Sequence, residues 1–384
     1  MAAALPVLAE RLATLFGCRH AVLFGRARSG LAVLLDILRD REGGMSSNPA
    51  PIEVLVPSNI CPAVPLAVQA AGAEVRLVTV SRLTGLPSDA VMAERIQAGP
   101  ARGVVMVAHL YGFVADYPET RRVARAKGWV ILENDSVAAK ARWPGAPLQA
   151  SPLFGDVALV SFGSAKTIEA GGGGAVLTDD SEWARELAVR AAALPVWDAA
   201  AEARDQWFMA MHRQLRQGPP GGPALVGLIE GLRSAESDGL RLGFPEALAE
   251  PLAAALDRLP ATVASRRAVA VLWAERLAGL GPMLETPPVA QPVPWRLIRR
   301  LEQGRDAVVA ALRAAGLDAG TNYPPLNAAY PGWFGAACGE EAEAWGREVL
   351  NLWVTPETTP ECMDRAVALM AAVGRRDDIG GDSR

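Results

Sequence analysis

The chain is 384 residues long, 51% hydrophobic and 21% charged, with a net charge of −4 at neutral pH. That length accommodates two domains around a large core, and the composition is globular rather than disordered. A mildly acidic balance without a Lys/Arg block speaks against nucleic acid as a partner. The start, Met1-Ala2-Ala3-Ala4-Leu5-Pro6, lacks the basic region and long apolar run of a signal peptide. Apolar runs such as Ala249 to Leu259 are cut by charges well short of the ~20 residues a membrane span needs. Cys18, Cys61, Cys338 and Cys362 show no metal-ligand spacing, and with three histidines they read as reduced thiols rather than a zinc site. The expectation is a cytoplasmic protein with no membrane association.

In chain order, residues 8–17 read as an amphipathic helix, Ala21–Phe24 as a strand and Ser29–Leu38 as a helix. Strands then alternate with helices. Val54–Val56, Val75–Val80, Val104–Ala108 and Trp129–Leu132 are strands; Ala63–Ala71, Ala90–Gln97 and Glu119–Ala126 are helices. Val157–Phe162 and Ala175–Thr178 complete the strand set. This alternation predicts an α/β fold of three layers, a mostly parallel sheet covered by helices on both faces, with ligands at the carboxyl ends of the strands. Residues 184–240 read as mainly helical, broken at Gly218-Pro219-Pro220-Gly221-Gly222-Pro223. From Ala249 the chain is helical toward Leu280, with a break or kink expected at Pro260. The Pro287–Pro294 stretch leads into a smaller α+β domain, with helices at Ala307–Ala315 and Glu361–Val373 and a disordered tail from Gly374. The expected division is an N-terminal helix or arm (1–20), a large domain (21–248), a small domain (249–374) and the tail.

Lys166 is the most informative single residue. It lies in a loop, Gly163-Ser164-Ala165-Lys166-Thr167, between two apolar strands and is followed by Gly171-Gly172-Gly173-Gly174. Such glycines serve where backbone and ligand approach closely. A desolvated lysine is a nucleophilic amine of the kind that forms Schiff bases with carbonyls and with pyridoxal phosphate. The only other lysines are Lys127 and Lys140, neither in a comparable loop.

Ser161-Phe162-x-x-x-Lys166 with the glycine-rich strand behind it resembles the Schiff-base segment of the DegT/StrS group of pyridoxal-phosphate sugar aminotransferases. Four further stretches agree in order: Val54-Leu55-Val56-Pro57-Ser58 through Ala71-Gly72-Ala73, His109-Leu110-Tyr111-Gly112, Ala115-Asp116, and Asn322-Tyr323-Pro324-Pro325-Leu326. The likeness covers roughly residues 15–190 and 240–372 and is poorest across 184–240, which either lines the substrate entrance or subunit contact or is a peripheral insertion. It implies a fold-type I transferase that binds pyridoxal phosphate, draws on an amino donor such as glutamate, aminates a keto-sugar and forms a homodimer.

The resemblance also implies roles. Lys166 carries the cofactor and moves the proton. Ser161, with Ser164 nearby, binds phosphate together with the helix start at Ala27, Arg28 and Ser29, and Arg26 or Arg28 adds charge for the phosphate or a substrate carboxylate. His109, Tyr111, Asn322 and Tyr323 lie toward the substrate. The sequence departs from the family at several points, among them the helical segment 184–240 and the family's phosphate-binding asparagine, which falls near Leu242-Gly243 and is not evident. Ala27-Arg28 stands for Gly-Thr, Val137 for a glutamine, and no aromatic occurs in Asn59-Ile60-Cys61. The family's Glu-Asp falls on Glu133-Asn134, so either Asn134 faces the pyridine nitrogen or a one-residue bulge brings Asp135 there; the reading taken is Asp135. A carboxylate would stabilise a protonated pyridine far better than an amide. These departures leave two alternatives open: another pyridoxal-dependent reaction, such as an elimination or decarboxylation, and a binding or regulatory homologue without catalysis.

Overall fold

The computed structural model describes residues 4–43, 51–114, 116–139, 153–217, 223–280, 292–330, 333 and 338–380. Lys140, Ala115 and residues 218–222 of the Gly/Pro break lie outside them. Strands β1 (His20–Phe24), β2 (Glu53–Pro57), β3 (Glu74–Val78), β4 (Gly103–Ala108), β5 (Val130–Asn134), β6 (Val157–Ser161) and β7 (Gly174–Thr178) form one sheet in the order β1-β7-β6-β5-β4-β2-β3. β2 to β6 pair in parallel, and β7 runs antiparallel to both its neighbours.

The helices of this part are α1 (Ala4–Phe16), α2 (Ala27–Gly43), α3 (Ala63–Ala70), α4 (Asp89–Ala98), α5 (Pro118–Lys127), α6 (Ser181–Ala192), α7 (Ala199–Gln217) and α8 (Pro223–Gly239). Strand alternation sorts the core onto two faces. Val54, Val56, Val104, Met106 and Leu132 join the cluster that includes residues of α2 and α3. Their neighbours Leu55, Val105, Val107 and Ile131 join Met92, Ile96 and Val123 of α4 and α5. Both faces are covered, which is why these strands are continuously apolar. Local signals set the helix ends: Ser88 caps α4, Asp180 caps α6, and Gly128 ends α5 in the left-handed conformation. Lys127 donates to the carbonyls of Ile96, Gln97 and Gly99 at the end of α4, a structural role.

Helix α9 (Ala249–Leu277) joins this part to a second sheet. It runs through Pro260 without the expected break. Proline in a helix costs about 3 kcal/mol, and burial of Leu252, Leu256, Leu259 and Val263 offsets that. Those residues pack with Leu8, Leu12 and Phe16 of α1 and with Ala158, Val160 and Leu177 of the main sheet. Farther along, Val269, Trp273 and Leu277 join the core of the smaller part. The first half of α9 therefore packs with the large sheet, and α1 is built into that core rather than standing off as an arm.

The smaller part holds the antiparallel sheet β8 (Arg296–Arg300), β10 (Val349–Trp353) and β9 (Ala319–Gly320), in the order β8-β10-β9. Around it lie α10 (Arg305–Ala314), α11 (Leu326–Ala329), α12 (Glu340–Glu348) and α13 (Pro360–Gly380). α13 continues past Gly374, where the sequence led to the expectation of a disordered tail; residues 381–384 lie outside the described set.

Candidate active site

The carboxyl ends of β1, β2, β5 and β6 open on a cleft of about 540 Å³. The glycine run brings its parts together. Arg26 forms a parallel bridge with Gly173, and a Cβ on Gly174 would lie 2.3 Å from the backbone nitrogen of Ala27. Only glycine lets the start of α2 sit that close to β7. The Lys166 loop is pinned from two sides. The Lys166 backbone N–H donates to the Gly163 carbonyl (3.2 Å), and the Trp295 indole donates to the Ala165 carbonyl (2.6 Å). Ala165 sits at φ +62°, a strained position for a non-glycine residue in a loop that presents a reactive side chain.

Lys166, Ser161, Ser164, Ala27, Arg28, Arg26, Asn134, Asn322 and Tyr323 all line this cleft. Ser29 does not. It is buried in the first turn of α2, and its hydroxyl has no partner among the described residues. The Arg26 guanidinium, expected to meet a ligand anion, is held by protein acceptors: both oxygens of Asp205 and the Gly171 carbonyl. Arg28 donates to the same Asp205 carboxylate (2.8 Å).

His109 and Tyr111, placed toward the substrate by resemblance, lie outside the cleft lining. His109 is buried, with Nε2 2.8 Å from Glu133. Burial alone would lower its pKa, but the hydrogen bond to Glu133 and the charges of Glu133 and Asp135 outweigh that and raise it. Tyr111 is buried, its pKa raised by desolvation, and its hydroxyl accepts the N–H of Tyr323 (3.3 Å). Gly112, at φ +91°, is packed so closely that a Cβ would come within 1.8 Å of the Val293 carbonyl oxygen. The Leu-Tyr-Gly turn is thus the surface on which the lead-in to β8 docks, through Val293 N–H to Gly112 and Trp295 N–H to Tyr111.

The bulge expected at the end of β5 is not formed. Leu132, Glu133 and Asn134 pair in step with Val157, Ala158 and Leu159, and the Asp135 N–H continues the ladder to the Leu159 carbonyl (2.9 Å). Alternation then puts Asn134 on the cleft side and Asp135 on the other, with Glu133. Asn134 lines the cleft and Asp135 does not. One Asp135 carboxyl oxygen is buried without a partner among the described residues, and desolvation raises its pKa to about 7, with His109 opposing the rise and Glu133 adding to it.

The segment of poorest resemblance forms part of the site. Glu202, Asp205, Gln206, Met209, His212 and Arg213 of α7 line the cleft at helical spacing. Trp295 and Arg296, at the start of β8, line it as well. Neither group is among the site residues expected from the sequence. The α7 residues carried a legible signal, one face at positions 202, 205, 206, 209, 212 and 213; Trp295 carried none, being a lone aromatic after a proline-rich stretch.

The sequence profile of the DegT/DnrJ/EryC1/StrS aminotransferase family matches residues 5–371. The chain belongs to that family. It is 31% identical, over 79% of its length and 72% of the relative's, to a dTDP-3-amino-3,4,6-trideoxy-alpha-D-glucose transaminase of Streptomyces venezuelae. It is 26% identical, over 71% and 67%, to a GDP-perosamine synthase of Caulobacter vibrioides. Among solved structures, DesV of S. venezuelae, crystallised with a ketimine intermediate, superposes with a TM-score of 0.70 at 26% identity over 96% of this chain and 88% of that one. The fold-type I architecture and the enzyme class follow: this is an α/β aminotransferase.

Proposed function

We propose that the protein transfers an amino group from an amino acid donor such as glutamate to a keto group on a nucleotide-linked or related sugar, using pyridoxal 5'-phosphate. The observation that carries the reading is Lys166 opening into a cleft built from strand carboxyl ends, beside Ser161, Ser164 and the first turn of α2. These residues fit the cofactor: an amine for its aldehyde, and hydroxyls and helix-start N–H groups for its phosphate, with a glycine run that lets the start of α2 close on β7 beside them. When bound, the cofactor supplies the electron sink that makes a substrate carbon acidic. Lys166 then holds and returns the proton at that carbon. Trp295 steadies the loop that carries it, and Asn322 and Tyr323, delivered by the smaller part, close the cleft on the substrate side. The sugar reading is supported by relatives whose names denote dTDP-, GDP- and UDP-sugar enzymes.

A second reading keeps the cofactor and changes the reaction, and the position of Asn134 favours it: the cleft side of β5 ends in an amide, where a carboxylate would strengthen the electron sink. The reading also includes a two-fold homodimer in the cytoplasm. Its support is the family, the four free cysteines, and exposed apolar side chains such as Val196, Trp207 and Val226. Among the described residues no helix is long and apolar enough to cross a membrane.

The test is direct. Purified protein loaded with pyridoxal phosphate absorbs near the visible edge, borohydride fixes the label on Lys166, and Lys166→Ala abolishes it. Label on Lys127 or Lys140 instead, or on none, refutes the assignment. Product analysis with keto-sugars and glutamate separates amination from the second reading. Sedimentation at micromolar concentration tests the dimer.

A further inference from the structure

One face of α7 reaches across the cleft, and a continuous set of contacts fixes it. Asp205, Phe208, Met209 and His212 fall at positions i, i+3, i+4 and i+7, and all line the cleft with Lys166. Asp205, buried, receives Arg26 and Arg28 from the start of α2. The Arg28 guanidinium lies over the Phe208 ring, 4.3 Å from its centroid. The Phe208 ring lies 5.9 Å from the His212 ring and within 10° of parallel. His212 Nε2 is 3.5 Å from the Cys61 sulfur, in the loop after β2. The ladder therefore runs from the first turn of α2 to the loop after β2.

His212 is the least explained member. It is only 6% exposed, yet it lines the cleft. Among the described residues no carboxylate is hydrogen-bonded to it, and its ring meets a phenyl face and a thiol. Among the described residues no group of three His, Cys, Asp or Glu side chains could hold a metal ion. A flat ring held parallel to a second ring at the wall of a cleft is suited to packing against a planar heteroaromatic ligand, an arrangement worth about 0.5–1.5 kcal/mol beyond area burial in aromatic pairs.

We propose that His212 is a positioning residue: its ring, backed by Phe208 and set against Cys61, is the aromatic wall that α7 supplies to the planar cofactor, with Asp205 fixing the register of the helix. The inference rests on the cofactor reading above. It gives the segment of poorest resemblance a specific task, and it makes the cofactor site depend on α7 of the same chain.

The experiment measures the affinity of apoprotein for pyridoxal phosphate and the induced circular dichroism of the bound chromophore, with borohydride labelling of Lys166 run alongside. His212→Ala weakens binding about 3- to 10-fold and reduces the dichroism. His212→Phe restores both, because a ring rather than a titratable group is what matters. Wild-type affinity and dichroism in His212→Ala would overturn the proposal, as would rescue by His212→Gln but not by His212→Phe. A second measurement needs no variant: pyridoxal phosphate slows iodoacetamide alkylation of Cys61, mapped by mass spectrometry, while Cys18 and Cys362 react at an unchanged rate. Unprotected Cys61 in protein whose Lys166 is labelled overturns the wall and leaves the cofactor reading intact. No label on Lys166 removes both.

Discussion

Asn134 and Asp135 differ by one position and therefore by one face of a strand. The family's acid falls on Asn134 and only a bulge would bring Asp135 to the cofactor, but the β5–β6 ladder is regular and Asn134 takes the cleft side. Alternation states which residues share a face; only the pairing of β5 with its neighbours states which face is the cleft. Lys166 was legible because its glycines carry a local backbone requirement, whereas Asp135 needed long-range register. The structure gives Asp135 a different signature. Its carboxyl titrates at about 7 in the fold, raised by burial from 3.8. The folded state therefore holds an extra proton between those values, and the stability associated with that proton is complete below 3.8 and is lost as pH rises through about 7. His109, raised above 6.5 despite its burial, acts in the same direction, losing stability as pH rises past its ordinary value. Asp135→Asn should flatten the decline in urea-unfolding free energy between pH 4 and 8 and stabilise the protein at pH 8 by on the order of 1 kcal/mol. Asn134→Asp should leave that pH dependence in place and change the spectrum of bound pyridoxal phosphate instead. A wild-type pH slope in Asp135→Asn would show that the carboxyl is already ionised in the fold at lower pH.

At the scale of elements, most strands and helices were readable because parallel strands buried on both faces are apolar runs bounded by turn residues. What was not readable was where an element docks. α7 has an ordinary amphipathic pattern, and nothing local shows that its Asp205 receives Arg26, just before α2, and Arg28, in its first turn. Asp205→Ala leaves those partly buried guanidiniums without their shared acceptor. It should cost about 3 kcal/mol or more and raise amide exchange in α7 above that of α4; unchanged exchange in α7 would mean that the helix is held by apolar packing alone. The Leu110–Gly112 turn offers a cleaner comparison. Gly112 and Gly128 both have positive φ, +91° and +74°, but a Cβ on Gly112 would strike Val293 at 1.8 Å while Gly128 has nothing within 4 Å. Gly128→Ala should therefore cost about 1 kcal/mol from backbone strain alone, and Gly112→Ala well over twice that through displacement of the β8 lead-in. Equal urea midpoints would remove the docking role given to Gly112.

Across the whole molecule, one ion network ties the two sheets together. Arg82, in the loop after β3, and Arg300, at the end of β8, both donate to Glu348 at the end of α12, at 2.9–3.0 Å through their Nε atoms. Arg82 also reaches Glu302 (3.1 Å). Burial alone would raise the Glu348 pKa, but the hydrogen bonds from Arg82 and Arg300 prevail and hold it below its ordinary 4.5. The sign is opposite to that of Asp135. Stability from Glu348 is present above 4.5 and is lost as pH falls through the lowered folded value. Glu348, between the two parts, thus contributes to an acid limb, and Asp135 and His109, behind the cleft, contribute to an opposite, alkaline one. Glu348→Gln should flatten the acid limb, leave the alkaline limb unchanged and lower the intervening plateau by about 3 kcal/mol, as expected when a buried ion pair loses one partner. Because the network spans the two sheets, the same variant should also separate thermal unfolding into two calorimetric transitions. Since the smaller part delivers Trp295 to the Lys166 loop, release of that part should uncouple the loop before the main sheet melts. A single transition with the wild-type acid slope would place the coupling between the sheets elsewhere, in the apolar contacts along α9.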